Sequence, residues 1–98
     1  MLIKLERTGG FAGLRTAVTL DTDTLPAEEA RKLHEMVDSA GFFNLPAKFP
    51  LPARGADYFV YRLTVEKDGR KHTVDVSDPA VPATLRPLLQ SLVVYARK

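Results

Sequence analysis

The sequence predicts an α+β fold, a four-stranded antiparallel sheet with two helices packed on one face, in the order ββαββα. Three observations predict it. Four segments alternate apolar and polar residues with the period of a half-buried strand, two others repeat apolar residues at helical spacing, and Asp68-Gly69 joins two of the alternating runs. One antiparallel sheet covered by two helices buries every inward residue of those segments at once.

Residues 1–8 open the pattern, with Ile3 and Leu5 facing one way and Lys4 and Glu6 the other. Residues 16–21 alternate again, with Val18 and Leu20 inward. The intervening T-G-G-F-A-G-L-R therefore joins two neighbouring strands as a long hairpin. A turn over 22–25 leads into a helix that Thr24 is placed to cap. Pro26 falls in its first turn, and Glu28 and Glu29 lie near the positive end of its dipole. Ala30, Leu33, Val37 and Ala40 form its apolar face, and Gly41 ends it as a left-handed cap. Phe42, Phe43 and Leu45 are expected to pack under the sheet.

Residues 46–57 read P-A-K-F-P-L-P-A-R-G-A-D. Three prolines and no periodicity make this a semi-rigid, extended loop. Strands over 58–67 and 70–77 follow, closed by a type I′ turn at Asp68-Gly69. That turn sets the register. Val65 faces His72, Leu63 faces Val74 and Tyr61 faces Val76 on the inner face, while Glu66 meets Lys71 and Arg62 meets Asp75 on a polar, wet outer face. Asp78-Pro79 breaks the strand. A last helix is expected from residue 82 or 83 to 97, with Leu85, Leu88, Leu89, Leu92, Val93 and Ala96 as its stripe. Pro87 in its first turns kinks or delays its start.

A chain of 98 residues makes one domain, 1–98, with a modest core. It has no cysteine, which excludes a disulfide framework and a zinc-thiolate site and fits a reducing compartment. Met1 leads directly into a strand pattern, so no signal peptide is expected and a cytoplasmic location is, with unconventional export left open. No apolar run is long enough to span a bilayer, so no membrane partner is expected. The net charge is +2, with lysines and arginines scattered among acids, whereas nucleic-acid binding needs a concentrated basic face; no nucleic-acid partner is expected.

Catalytic chemistry does not assemble. His34-Glu35-Met36-Val37-Asp38 approaches the H-E-x-x-H zinc motif but has Asp38 in place of the second histidine, and reads as a solvent-facing His34–Asp38 pair one turn apart. Gly10-Phe11-Ala12-Gly13 has the spacing of a KH loop, yet joins strands and carries no basic residue between its glycines. His72 points inward as a partly buried packing residue. No serine lies in a nucleophile elbow, so no catalytic residue, metal ligand or cofactor is assigned and the chain is not expected to be an enzyme.

Three segments break the patterning: the glycine loop with Phe11 and Leu14, the turn carrying Leu25, and residues 46–57 with Phe49, Leu51 and the 54–57 corner. Apolar loop residues either fold back as lids on the core or gather into an exposed patch that binds a partner. Leu25 also fits a hydrophobic staple before the first helix, and Gly55 a backbone position with positive φ.

These segments carry a resemblance. T-G-G-F-A-G after the first strand, L-D-T-D-T-L-P-A-E-E-A into the helix, P-A-R-G-A-D before an aromatic strand, H-T-V in the fourth strand and L-R-P-L-L in the last helix run in one order along nearly the whole chain. The sequence resembles the emfourin family, small protein inhibitors of protealysin and related thermolysin-like metallopeptidases. The resemblance implies such a metallopeptidase as protein partner. It implies partner-binding roles for Gly9, Gly10, Phe11, Leu25, Arg54, Gly55 and Asp57, with Leu25 and the 54–57 corner foremost. It also implies occlusion of the enzyme's cleft, since a rigid loop offering Leu or Phe suits a pocket for a bulky apolar side chain. Phe11 is either an anchor in that partner or a plug in the chain's own core. A monomer is expected. The alternative is a small regulatory interaction module whose partner is not a protease.

Overall fold

The computed structural model describes residues 1–9, 15–49 and 58–97, apart from the side chain of Pro79. Strands β1 (Leu2–Gly9), β2 (Thr16–Asp21), β3 (Phe59–Lys67) and β4 (Arg70–Ser77) form one antiparallel sheet in the spatial order β2-β1-β3-β4. Helices α1 (Ala27–Ala40) and α2 (Arg86–Ala96) complete the predicted ββαββα order. β1 thus lies in the middle of the sheet, hydrogen-bonded to both β2 and β3.

The β3–β4 register is the one the turn dictates. Asp68 and Gly69 both have positive φ, 52° and 77°, as a type I′ turn requires. Val65 pairs with His72, Leu63 with Val74, Tyr61 with Val76, Glu66 with Lys71 and Arg62 with Asp75. Arg62 Nε donates to Asp75 Oδ1 at 2.8 Å across the outer face. On the inner face Ile3, Leu5, Leu63, Val65, Val74 and Val76 are buried against Leu33 and Val37 of α1 and Leu88 and Leu92 of α2. Full burial of side chains of this size is worth about 1.5–3 kcal/mol each, before the entropy of ordering them is charged. Tyr95 Oη donates to Glu29 Oε1 at 2.6 Å and ties the two helices together.

Four local expectations change. Thr24 does not cap α1. A 3-10 turn at Thr22–Thr24 intervenes, Pro26 takes the cap position, and the Thr24 hydroxyl donates to the Asp21 carbonyl at 2.8 Å. Asp21 caps that turn instead, its Oδ1 accepting from Asp23 N–H. The last helix begins at Arg86 rather than at 82 or 83. Pro87 then sits in the first turn, where its missing N–H costs no hydrogen bond. The His34–Asp38 pair is replaced by tertiary contacts: His34 Nε2 lies 3.3 Å from Thr22 Oγ1, and Asp38 Oδ1 lies 3.6 Å from Lys67 Nζ on β3. Finally, the proline-rich segment begins with one isolated β-bridge, and its residues 50–57 lie outside the described residues. Phe49 N–H donates to the Asp75 carbonyl and Asp75 N–H to the Ala47 carbonyl, so residues 47–49 extend the β4 edge by one parallel bridge. Phe49 and Lys48 then border a depression of about 350 Å³ on the outer face, beside Thr8 and Val60.

Candidate functional site

The antiparallel pairing gathers several chain ends at one end of the sheet. β1 finishes at Gly9 opposite Phe59, where β3 begins, and Arg7 pairs with Thr16, where β2 begins. β4 finishes at Ser77 opposite Val60. Segment 10–14 therefore leaves from Gly9 and returns at Arg15, while segment 50–57 returns at Tyr58, all at this end.

Gly9 is where the two roots meet. Its φ is 96°, and a Cβ built there would lie 2.5 Å from the carbonyl oxygen of Tyr58. Only glycine lets β1 approach the start of β3 so closely without strain. Around this junction the surface is aromatic and cationic. Tyr58, whose backbone carbonyl meets Gly9, is a large amphipathic residue 37% exposed. Beside it the Arg7 guanidinium stacks 4.3 Å from the centre of the Phe59 ring. Arg15 pairs with Glu6 at 3.4 Å across the first two strands.

The two histidines belong to the opposite end. His72, near the β3–β4 turn, is half-buried, packs edge-on against Phe42 with centroids 5.4 Å apart, and donates from Nε2 to the Leu45 carbonyl at 2.7 Å. The carbonyl can only accept, so this bond fixes the tautomer. His34 is turned to Thr22, which in turn bonds the Met1 carbonyl. Both imidazoles thus serve the fold, as the sequence predicted for His72. Among the described residues no group of three or more histidine, aspartate or glutamate side chains is arranged to hold a metal ion.

A family model described as Emfourin matches residues 5–93. The chain belongs to the emfourin family. No curated protein and no solved structure gives a significant match. Emfourin is a family of inhibitors rather than enzymes, so membership points to a metallopeptidase inhibitor and to a protease as its partner.

Of the emfourin motif residues, Gly9 and Leu25 fall within the described residues; Gly10, Phe11, Arg54, Gly55 and Asp57 lie outside them, as do Leu14 and Leu51. Gly9 and Leu25 are not neighbours. Leu25 follows the 3-10 turn after β2, where Asp21 pairs with Leu2 and Thr22 N–H donates to the Met1 carbonyl. Seven residues of β1 separate that end from Gly9, about 23 Å at strand rise. Leu25 is partly buried and packs against the core, as a residue leading into α1 would. The Leu25 turn and the Gly9 junction therefore lie at opposite ends of β1. Sequence reasoning passed over Tyr58, although it directly follows the P-A-R-G-A-D motif. An aromatic at the first position of the expected strand 58–67, one residue before β3 begins, is the signal that marks it.

Proposed function

We propose that this emfourin inhibits a zinc metallopeptidase of the thermolysin or protealysin type by covering its active-site cleft rather than by taking its zinc. The observation that carries the reading is the junction at Gly9 and Tyr58, which roots the segments bearing Gly10-Phe11 and Arg54-Gly55-Asp57 on the same rigid sheet end. An inhibitor gains affinity when its contact segments are held by a scaffold and lose little entropy on binding. Tyr58, exposed between those roots, adds a rigid aromatic of the kind that anchors interfaces. The zinc stays with the enzyme in this mechanism, because both imidazoles of the inhibitor are engaged in its own fold at the far end. Leu25 is a second, separate contact that a partner reaches only by wrapping along the sheet; otherwise it serves the packing of α1.

The test is a progress curve of peptide hydrolysis by a purified thermolysin-like enzyme with increasing inhibitor. Stoichiometric loss of activity, unrelieved by added zinc, is expected. Phe11→Ala, Tyr58→Ala and Gly55→Trp, each shown to fold by circular dichroism, are expected to weaken inhibition at least tenfold. Full activity at micromolar excess against several such enzymes would overturn the proposal in favour of an interaction module with a non-protease partner.

A further inference from the structure

A cleft of about 320 Å³ opens on the helix side of the same sheet end, between β1, β3 and α2. Among the described residues three arginines, Arg7, Arg86 and Arg97, border it, against one carboxylate, Asp78. That excess is as large as the net charge of the whole chain, +2. The cations are placed by the fold. Arg7 is half-buried on the Phe59 ring, and Arg86 in the first turn of α2 donates from Nη2 to the Asp78 carbonyl at 3.2 Å. The acid is only loosely engaged. Tyr61 Oη donates to Asp78 Oδ1 at 3.4 Å, long for a hydroxyl–carboxylate bond, so the carboxylate keeps accepting capacity. The wall between these groups is apolar, built by Leu89, Val93 and Val94 of α2, the last 54% exposed.

We propose that this cleft binds the C-terminal residue of a peptide whose last side chain is apolar. Guanidinium groups suit a carboxylate through charge-assisted, often bidentate hydrogen bonds. The Asp78 carboxylate suits the amide N–H that stands one atom from that carboxylate's α-carbon. The α2 wall takes a leucine-sized side chain. A phosphate dianion fits less well, because Asp78 opposes it and the apolar wall gains nothing from it. A simple fatty acid leaves the Asp78 carboxylate without its donor. Hydrolysis by any endopeptidase creates such C-termini, yet the assignment rests on the cleft alone and not on the inhibitor reading.

The experiment is a titration of the isotope-labelled whole chain, followed by amide chemical shifts, with no protease in the tube. The probes are N-acetyl-L-leucine, N-acetyl-L-leucinamide and 4-methylpentanoate. N-acetyl-L-leucine is expected to saturate in the millimolar range and to move the amides of Arg86, Leu89 and Val93. The leucinamide, which lacks the charge, and 4-methylpentanoate, which lacks the N–H, are each expected to bind at least fivefold more weakly. Arg97→Gln and Arg86→Gln are each expected to weaken N-acetyl-L-leucine binding about fivefold or more; Arg97 makes no bond to Asp78, so its variant keeps the cleft floor intact. Equal binding of acid and amide would overturn the carboxylate assignment, and equal binding of the two acids would overturn the peptide one. Absence of saturable shifts at 50 mM (about 1.8 kcal/mol of affinity at most), or affinity unchanged in both variants, would overturn the site.

Discussion

Gly9→Ala tests the junction on which the functional reading stands. Two costs fall on the alanine. A left-handed backbone costs a non-glycine residue about 1–2 kcal/mol. The new methyl also meets the Tyr58 carbonyl oxygen at 2.5 Å, so one backbone must retreat by roughly 1 Å. That retreat weakens the Gly9–Phe59 pairing at the end of the β1–β3 ladder, for about 1 kcal/mol more. The sum is roughly 2–3 kcal/mol, or about 8–24 °C in Tm for a domain of this size. Gly69→Ala is the control. Gly69 has a similar φ of 77°, but its Cβ would meet nothing within 4 Å, so only the backbone cost of about 1–2 kcal/mol applies. Urea unfolding of the parent and both variants, followed by circular dichroism, gives the two losses, and their difference isolates the contact with Tyr58. If the two alanines destabilise equally, the close approach is not what demands glycine at position 9, and the argument that the junction fixes both segments fails. Because Gly9→Ala displaces the roots of both segments, it is also expected to weaken inhibition under conditions where the variant is still folded, whereas Gly69→Ala, at the far end of the sheet, is not.

Other predictions follow from the same geometry. Ser77 is buried with its hydroxyl unpartnered among the described residues, so Ser77→Ala is expected to be neutral or to stabilise by up to about 1 kcal/mol in urea unfolding; a loss above about 1 kcal/mol would mean that the hydroxyl has a partner. Burial first, and the neighbouring Asp78 charge second, raise the pKa of Tyr61 above its ordinary value. Unfolded chains then release this proton at lower pH than folded ones, so stability falls as pH rises past about 10, and Tyr61→Phe is expected to flatten that fall in alkaline thermal melts. An unchanged slope would reject the assignment. Leu25→Ala is expected to destabilise by about 1–3 kcal/mol through lost packing on the core. If it abolishes inhibition while the protein remains folded, the enzyme makes a second contact at the far end.

Much of this protein was written in local sequence. Asp68-Gly69 determined a turn with two positive φ values, and that turn alone set five cross-strand pairs, since a one-residue slip would have turned Leu63 and Val65 to solvent. Periodicity determined both helices and their buried faces, and the ordered motifs along the chain determined its family. Tertiary structure decided what periodicity does not encode. It chose the spatial order β2-β1-β3-β4, which puts Gly9 beside Tyr58 and Leu25 a strand length away, and so divided a set of motif residues that look equivalent in sequence. It overrode Thr24 as a helix cap, because the hydroxyl found the nearer Asp21 carbonyl, and it turned Asp38 from His34 to Lys67 because α1 packs over β3. It also assembled the arginine cleft from residues 7, 78, 86 and 97, whose charges are scattered along the sequence and meet only where a strand end closes on a helix. Local signals depend on neighbours along the chain and can be read there. A site depends on which distant segments share one end of a sheet, and only the packing of the whole core fixes that.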